Sequence, residues 1–263
     1  MRCEPLPGGD AVRAACVSVP VALGVAFGLA LTLVRVYADR AARIATTFYV
    51  VAGLAWAWLS GQPGPAWLEA VWFATVAAVG GLLPGPANQV SLARAYLAAP
   101  ALVYSLHQDF ALVAVVVALA SVTDLVDGTI ARRFARPSTL GGGLDPVVDG
   151  LFTGALAIGL ALGGAFQLWL ALVVIGRYLL PALAGGLLIA TGRRPELRHT
   201  LTGQVSTVLI LVLLGGVCLF RGLRQDSSGL LNAAEVVIPI ATVATYVHLG
   251  VALRRPARAP EPG

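Results

Sequence analysis

Long apolar runs, broken at short intervals by Gly, Pro and Arg, organise the chain, and each run has the roughly 17 to 25 residues that a helix needs to cross a hydrocarbon core. Read between those breaks, the pattern predicts nine helices, over 15–35, 43–60, 66–84, 88–106, 110–131, 145–163, 166–191, 202–220 and 230–252. The run 88–106 differs from the others. Asn88, Gln89, Ser91 and Arg94 make its first turns polar, as expected of a helix that starts at a membrane interface. The joint Leu83-Pro84-Gly85-Pro86 divides the chain into an N-terminal extension, 1–84, with three helices, and a six-helix remainder, 86–252. The segment 253–263 is Pro-rich and is expected to be a disordered tail. No internal repeat is visible.

Composition turns this pattern into a class. The 263 residues are 58% hydrophobic and 12% charged, with a mean hydropathy of +0.84, which describes an all-α polytopic membrane protein with no room for a separate soluble domain. The net charge of +5 comes from arginine alone, since the sequence holds no lysine. Those arginines gather in the connections between apolar runs, which is a topology signal and excludes a nucleic-acid-binding footprint. Placing the connection 132–144 in the cytoplasm puts three arginine groups on the same side: Arg35, Arg40 and Arg43, then Arg193, Arg194 and Arg198, then Arg254, Arg255 and Arg258. Only Arg2, Arg13, Arg221 and Arg224 fall opposite, so the N-terminus is expected outside, and the first apolar run reads as a retained helix, not a cleaved leader.

The smaller signals add little chemistry. Cys3, Cys16 and Cys218 have no CxxC or Cys/His spacing, which argues against zinc and against a disulfide framework. His107, His199 and His248 lack helical ligand spacing. Trp56, Trp58, Trp67 and Trp72 read as an interfacial belt.

Four carboxylates break the apolar pattern. Asp124 and Asp127 close one run, and Asp145 and Asp149 open the next. Ionisable groups in such places are expensive and default to function. Helical geometry separates Asp124 from Asp127 by about 60° and Asp145 from Asp149 by about 40°, so each pair shares a face. Two antiparallel helices joined by the residues Arg132 to Leu144 bring all four towards one end. Clustered anions repel unless positive charge is close, and oxygen-only ligands favour Mg²⁺ or Mn²⁺, one or two ions, which can also grip a pyrophosphate. Gly128 leaves space beside the backbone, Gly141, Gly142 and Gly143 make the connection compliant, and Arg132, one turn after Gly128, is placed to pair with phosphate oxygens. A transporter using the aspartates for proton or cation coupling is the alternative, but it leaves the glycine and arginine spacings unexplained.

Asp124-Leu-Val-Asp127-Gly128-Thr-Ile-Ala131-Arg132, eight residues, Gly141, three residues, Asp145, three residues and Asp149 resembles the signature of the CDP-alcohol phosphatidyltransferases, D-x2-D-G-x2-A-R-x8-G-x3-D-x3-D. The looser resemblance extends over about 86–252, where Asn88 to Arg94 looks like the polar start of the family's first core helix and Arg177 like the arginine of its fourth. The resemblance implies a six-helix catalytic core with about three extra N-terminal helices, open to the cytoplasm in a cell membrane of bacterial inner-membrane type, with two metal ions. It implies Asp124, Asp127, Asp145 and Asp149 as metal ligands, Asp149 also as general base, and Gly128, Ala131, Arg132 and Gly141 as the lining of the CDP pocket. The partners implied are a CDP-alcohol such as CDP-diacylglycerol, a small alcohol acceptor that can carry a phosphate, and membrane lipids, with homodimerisation expected through the resemblance alone. Where many members have lysine, this chain has Gly150 and Gln204, so the cations available to an acceptor are Arg177, Arg193, Arg194 and Arg198.

Overall fold

The computed structural model describes residues 40–59, 66–83, 86–134, 141–190 and 201–254. Every regular element among them is an α-helix: α1 (Arg40–Leu59), α2 (Ala66–Leu82), α3 (Pro86–Leu106), α4 (Phe110–Phe134), α5 (Gly141–Leu162), α6 (Leu168–Ala190), α7 (Leu201–Gly222) and α8 (Ser228–Arg254). Eight of the nine predicted helices are therefore present, with ends within a few residues of the apolar runs. The predicted helix over 15–35, the loop carrying Arg193, Arg194 and Arg198, and residues 255–263 of the tail lie outside the described residues, while Leu253 and Arg254, expected in the disordered tail, close α8. Gly141, Gly142 and Gly143, expected in the connection, instead form the first turn of α5, because glycine weakens a helix by only about 1 kcal/mol per residue and does not forbid one.

Among the described residues, two helices contain windows long and apolar enough to span a membrane: Val205–Gly222 in α7, of mean hydropathy 2.1, and Ser228–Val251 in α8, of mean hydropathy 1.6. The other described helices hold shorter apolar stretches, among them Ala42–Trp56, Phe110–Asp124 and Pro146–Leu162. Large apolar side chains also point outward, including Ile44, Phe48, Val115, Leu172, Val212, Val243 and Val247.

The chain forms two compact units, one of residues 1–99 and 120–148, the other of 100–119 and 149–263. In the first unit, α1 and α2 pack on each other, and their core takes in the start of α3 and the residue Val148 of α5. Val50, Val76, Ala77, Leu92, Ala95 and Tyr96 are buried there. The polar first turns of α3 are buried as well, Gln89, Ser91 and Arg94 each being under 5% exposed, so these polar positions serve contacts within the protein. Trp72 points inward too, donating its indole N–H to the Ala95 carbonyl at 2.8 Å, and Trp56 packs edge-on against Phe73.

In the second unit α8 packs against both α7 and α6, around Phe152, Leu156, Leu160, Leu170, Ile210, Leu214 and Ile238, all buried completely or nearly so. Close approach between helices needs small residues: a β-carbon on Gly159 would lie 2.8 Å from that of Ser105 and 3.1 Å from the Leu102 backbone. Three helices end alike, with a residue of positive φ at Gln108 (61°), Gly164 (73°) and Arg224 (57°). Each is followed by a residue whose N–H reaches back five positions, Asp109 to Tyr104, Ala165 to Leu160 and Gln225 to Phe220, at 2.8–2.9 Å, the paired-bond helix ending that satisfies the last carbonyls. The turns are also tied together, as Gln108 Nε2 donates to the Gly163 carbonyl at 2.8 Å. After the last of them Asp226 caps α8, its carboxylate accepting from the N–H and hydroxyl of Ser228 at 2.9 and 2.6 Å.

Candidate active site

The four aspartates lie on two consecutive helices, Asp124 and Asp127 in the second half of α4 and Asp145 and Asp149 in the first half of α5. Asp124 lies on α4 with its side chain 52% exposed, and Oδ1 accepts from Arg94 Nη1 at 2.7 Å. Arg94 is the contact that sequence reasoning missed. It stood only as one of several polar residues at the start of a helix, although an arginine among apolar residues was the available signal. Its 5% exposed side chain needs a counter-charge, since a buried cation is stable only when paired, and Asp124 is that partner.

Helix α4 continues unbroken to Phe134, so Asp127, Gly128, Ala131 and Arg132 follow Asp124 on one helix, and Asp127 sits about 60° around the axis from Asp124. Gly141 and Asp145 occupy the first turns of α5, in which Asp149 follows Asp145 by four residues and is half-buried. The side chains of Asp127, Gly128, Ala131, Arg132, Gly141 and Asp145 lie outside the described residues, as do Arg193, Arg194 and Arg198 entirely. Among the described residues no group of three His, Cys, Asp or Glu converges on a metal position. The donor set itself, carboxylate oxygens at i, i+3 and i, i+4 on helices, suits a hard divalent cation.

Three features of the second unit concern Arg177, Gly150 and the segment that holds Gln204. Arg177, on α6 and 4% exposed, donates to the Gly203 carbonyl (3.0 Å) and Thr207 Oγ1 (3.4 Å) of α7, and to the Ala241 carbonyl (3.3 Å) and Thr245 Oγ1 (3.1 Å) of α8. Its guanidinium thus ties three helices together. Tyr178 explains Gly150: a β-carbon at Gly150 would stand 2.8 Å from Tyr178 Cβ and 3.0 Å from its Cγ, so the tyrosine fills the space that a side chain after the fourth aspartate would need. Finally, Thr207, in the segment Gly203 to Thr207 that holds Gln204, meets the Tyr178 hydroxyl at 3.4 Å and donates to the Gly203 carbonyl at 3.0 Å.

Comparison with known proteins adds independent findings. A sequence model of the CDP-alcohol phosphatidyltransferase family matches residues 86–249. A probable cardiolipin synthase (CMP-forming) of Drosophila melanogaster is 39% identical over 92 residues, 34% of this chain and 28% of that protein. A probable phosphatidylglycerophosphate synthase of Mycobacterium tuberculosis is 29% identical over 134 residues, 51% of this chain and 60% of that protein. A cardiolipin synthase (CMP-forming) of Streptomyces coelicolor is 38% identical over 80 residues, 30% of this chain and 37% of that protein. In each case the chain spans less than two thirds of the relative's length. No solved structure is significantly similar.

Proposed function

The chain belongs to the CDP-alcohol phosphatidyltransferase family, and from that premise we propose that it transfers a phosphatidyl group from CDP-diacylglycerol, or a similar CDP-alcohol, to an alcohol, releasing CMP, in phospholipid synthesis. The observation that carries the reading is the coincidence of the family match over 86–249 with the complete Asp124-to-Asp149 signature inside it. The catalytic core is residues 86–252, and the N-terminal extension, 1–84, lies outside the matched region.

In this reading Asp124, Asp127, Asp145 and Asp149 hold divalent Mg²⁺ or Mn²⁺, two ions in all. Such ions supply charge neutralisation at the pyrophosphate, which makes CMP a stable leaving group. Asp149 takes the proton from the acceptor hydroxyl as its oxygen attacks the phosphorus bearing the lipid, and the bond to the CMP oxygen breaks. Arg132 pairs with phosphate oxygens, while Gly128, Ala131 and Gly141 leave room for the nucleotide. Because the Arg177 donors are engaged by α7 and α8, we assign it to holding those helices, which leaves Arg193, Arg194 and Arg198 as cations for a phosphorylated acceptor.

The outward apolar side chains and the two span-length helices support an integral membrane protein, and the arginine asymmetry supports a cytoplasmic active end. Phosphatidylglycerophosphate and cardiolipin, the products in the names of the similar proteins, are the first to look for in an acceptor screen. The test is CMP release from CDP-diacylglycerol by the purified protein with Mg²⁺ or Mn²⁺. Release is expected for the wild type and abolished in a folded Asp149→Asn variant. Unchanged turnover in that variant would remove Asp149 as the base, and no release with any acceptor would remove the reading.

A further inference from the structure

Asp124 depends on Arg94, and Arg94 depends on the placement of α3. That helix is held by the N-terminal pair at two main-chain points, one on each side of Arg94. Tyr49 of α1 donates its hydroxyl to the Gln89 carbonyl, and Trp72 of α2 donates its indole N–H to the Ala95 carbonyl, both at 2.8 Å. Gln89 answers from α3, its Nε2 donating to the Gly80 and Leu83 carbonyls at the end of α2, at 2.7 and 2.9 Å. Between these ties the Tyr96 ring stacks on Tyr49 and on Phe73, with centroids 4.5 and 5.8 Å apart.

Apolar packing between helices tolerates sliding and repacking, whereas a side-chain donor aimed at a particular carbonyl fixes both the height and the rotation of the helix that bears it. Three side chains make such ties around α3, beside an apolar cluster that includes Val50, Val76, Leu92 and Ala95. That is more than anchoring requires. It registers α3, and with it the base of the Arg94 side chain.

We propose that α1 and α2 form a clamp that registers α3, so that Arg94 holds Asp124 in the orientation needed to bind a divalent cation. The inference rests on the proposed function for the role of Asp124, and it gives the N-terminal helices a part in supporting the active site. Arg94 is a positioning residue: it touches a metal ligand and not the reacting atoms. Partners of metal-binding carboxylates typically contribute about 10–100-fold to metal affinity.

The test measures Mn²⁺ binding to the full-length purified protein by electron paramagnetic resonance, without substrate, alongside the Mn²⁺ dependence of CMP release. Arg94→Gln is expected to weaken Mn²⁺ binding about ten-fold or more, with Arg94→Lys restoring part of the loss. The Tyr49→Phe/Trp72→Phe double variant, which removes two donors but keeps aromatic rings, is expected to weaken it about three-fold or more and to speed hydrogen exchange over 86–95. If the double variant fails to fold, Trp72→Phe alone carries the same expectation. Wild-type Mn²⁺ affinity in Arg94→Gln, or in the folded clamp variants, would overturn the proposal. A wild-type protein that binds Mn²⁺ but releases no CMP would instead sink the proposed function and leave the clamp standing.

Discussion

Replacing Arg177 by methionine separates a structural arginine from a substrate-binding one. Methionine keeps an apolar stem of similar reach but removes every donor. Of the four bonds lost, those to Gly203 (3.0 Å) and Thr245 (3.1 Å) are short enough to matter most, and those to Thr207 (3.4 Å) and Ala241 (3.3 Å) are long. Hydrogen bonds from a charged group contribute about 1.5–3 kcal/mol each. The acceptors are not stranded by the change, because Thr207 and Thr245 already donate to the Gly203 and Ala241 carbonyls at 3.0 and 2.8 Å. The loss is therefore set by the two short bonds, partly offset by relief of burying the charge, and amounts to about 2–4 kcal/mol. Arg177→Lys, a single point charge in place of a planar fork that reaches two neighbouring helices, should recover less than half of it. Reversible unfolding in mixed micelles, followed by circular dichroism, measures the change. Stability within about 0.5 kcal/mol of wild type, together with a raised KM for the acceptor, would refute the assignment and make Arg177 an acceptor contact.

Gly150→Ala should destabilise the protein by about 1–3 kcal/mol through overpacking against Tyr178, and Gly150→Ala/Tyr178→Gly, which also removes the β-carbon that would lie 2.8 Å away, should lose less than the two single changes added together if that contact is the cause; thermal unfolding of the three variants checks it. Asp226→Ala should lower the melting temperature at neutral pH but not in strong acid. The hydrogen bonds from the hydroxyl and N–H of Ser228 hold the Asp226 carboxyl below its usual range, so its contribution is present above the ordinary carboxylate pKa, about 3.9, and fades as pH falls through the lower folded value. A difference between wild type and variant that persists undiminished well below that pH would contradict the cap.

The helices were legible because their limits are written in local chemistry. Apolar runs stop at residues such as Gly163 and Gly164, and the cap at Asp226 sits where the last long run begins. The helical placement of the aspartates was legible for a similar reason: Asp124 and Asp127 lie on α4, and Asp145 and Asp149 on α5, at spacings of three and four residues. Contacts between distant segments were not. The partnership of Arg94 with Asp124 joins residues 30 apart, and nothing local distinguishes it from a polar helix start. The bond from the Trp72 N–H to the Ala95 carbonyl, 23 residues away, was equally invisible in the sequence. Gly150 was visible in the sequence as a missing lysine, but the reason, Tyr178 standing where a β-carbon at Gly150 would have to go, is a packing fact.

The central claim is that the carboxylates of α4 and α5 bind divalent cations that in turn hold a nucleotide diphosphate. Calorimetric titration of the purified protein with CDP, with and without Mn²⁺, tests it most directly. The account predicts CDP binding that requires Mn²⁺ and is lost in Asp124→Asn and Asp127→Asn. Binding of CDP that is indifferent to Mn²⁺ and to both substitutions would contradict it.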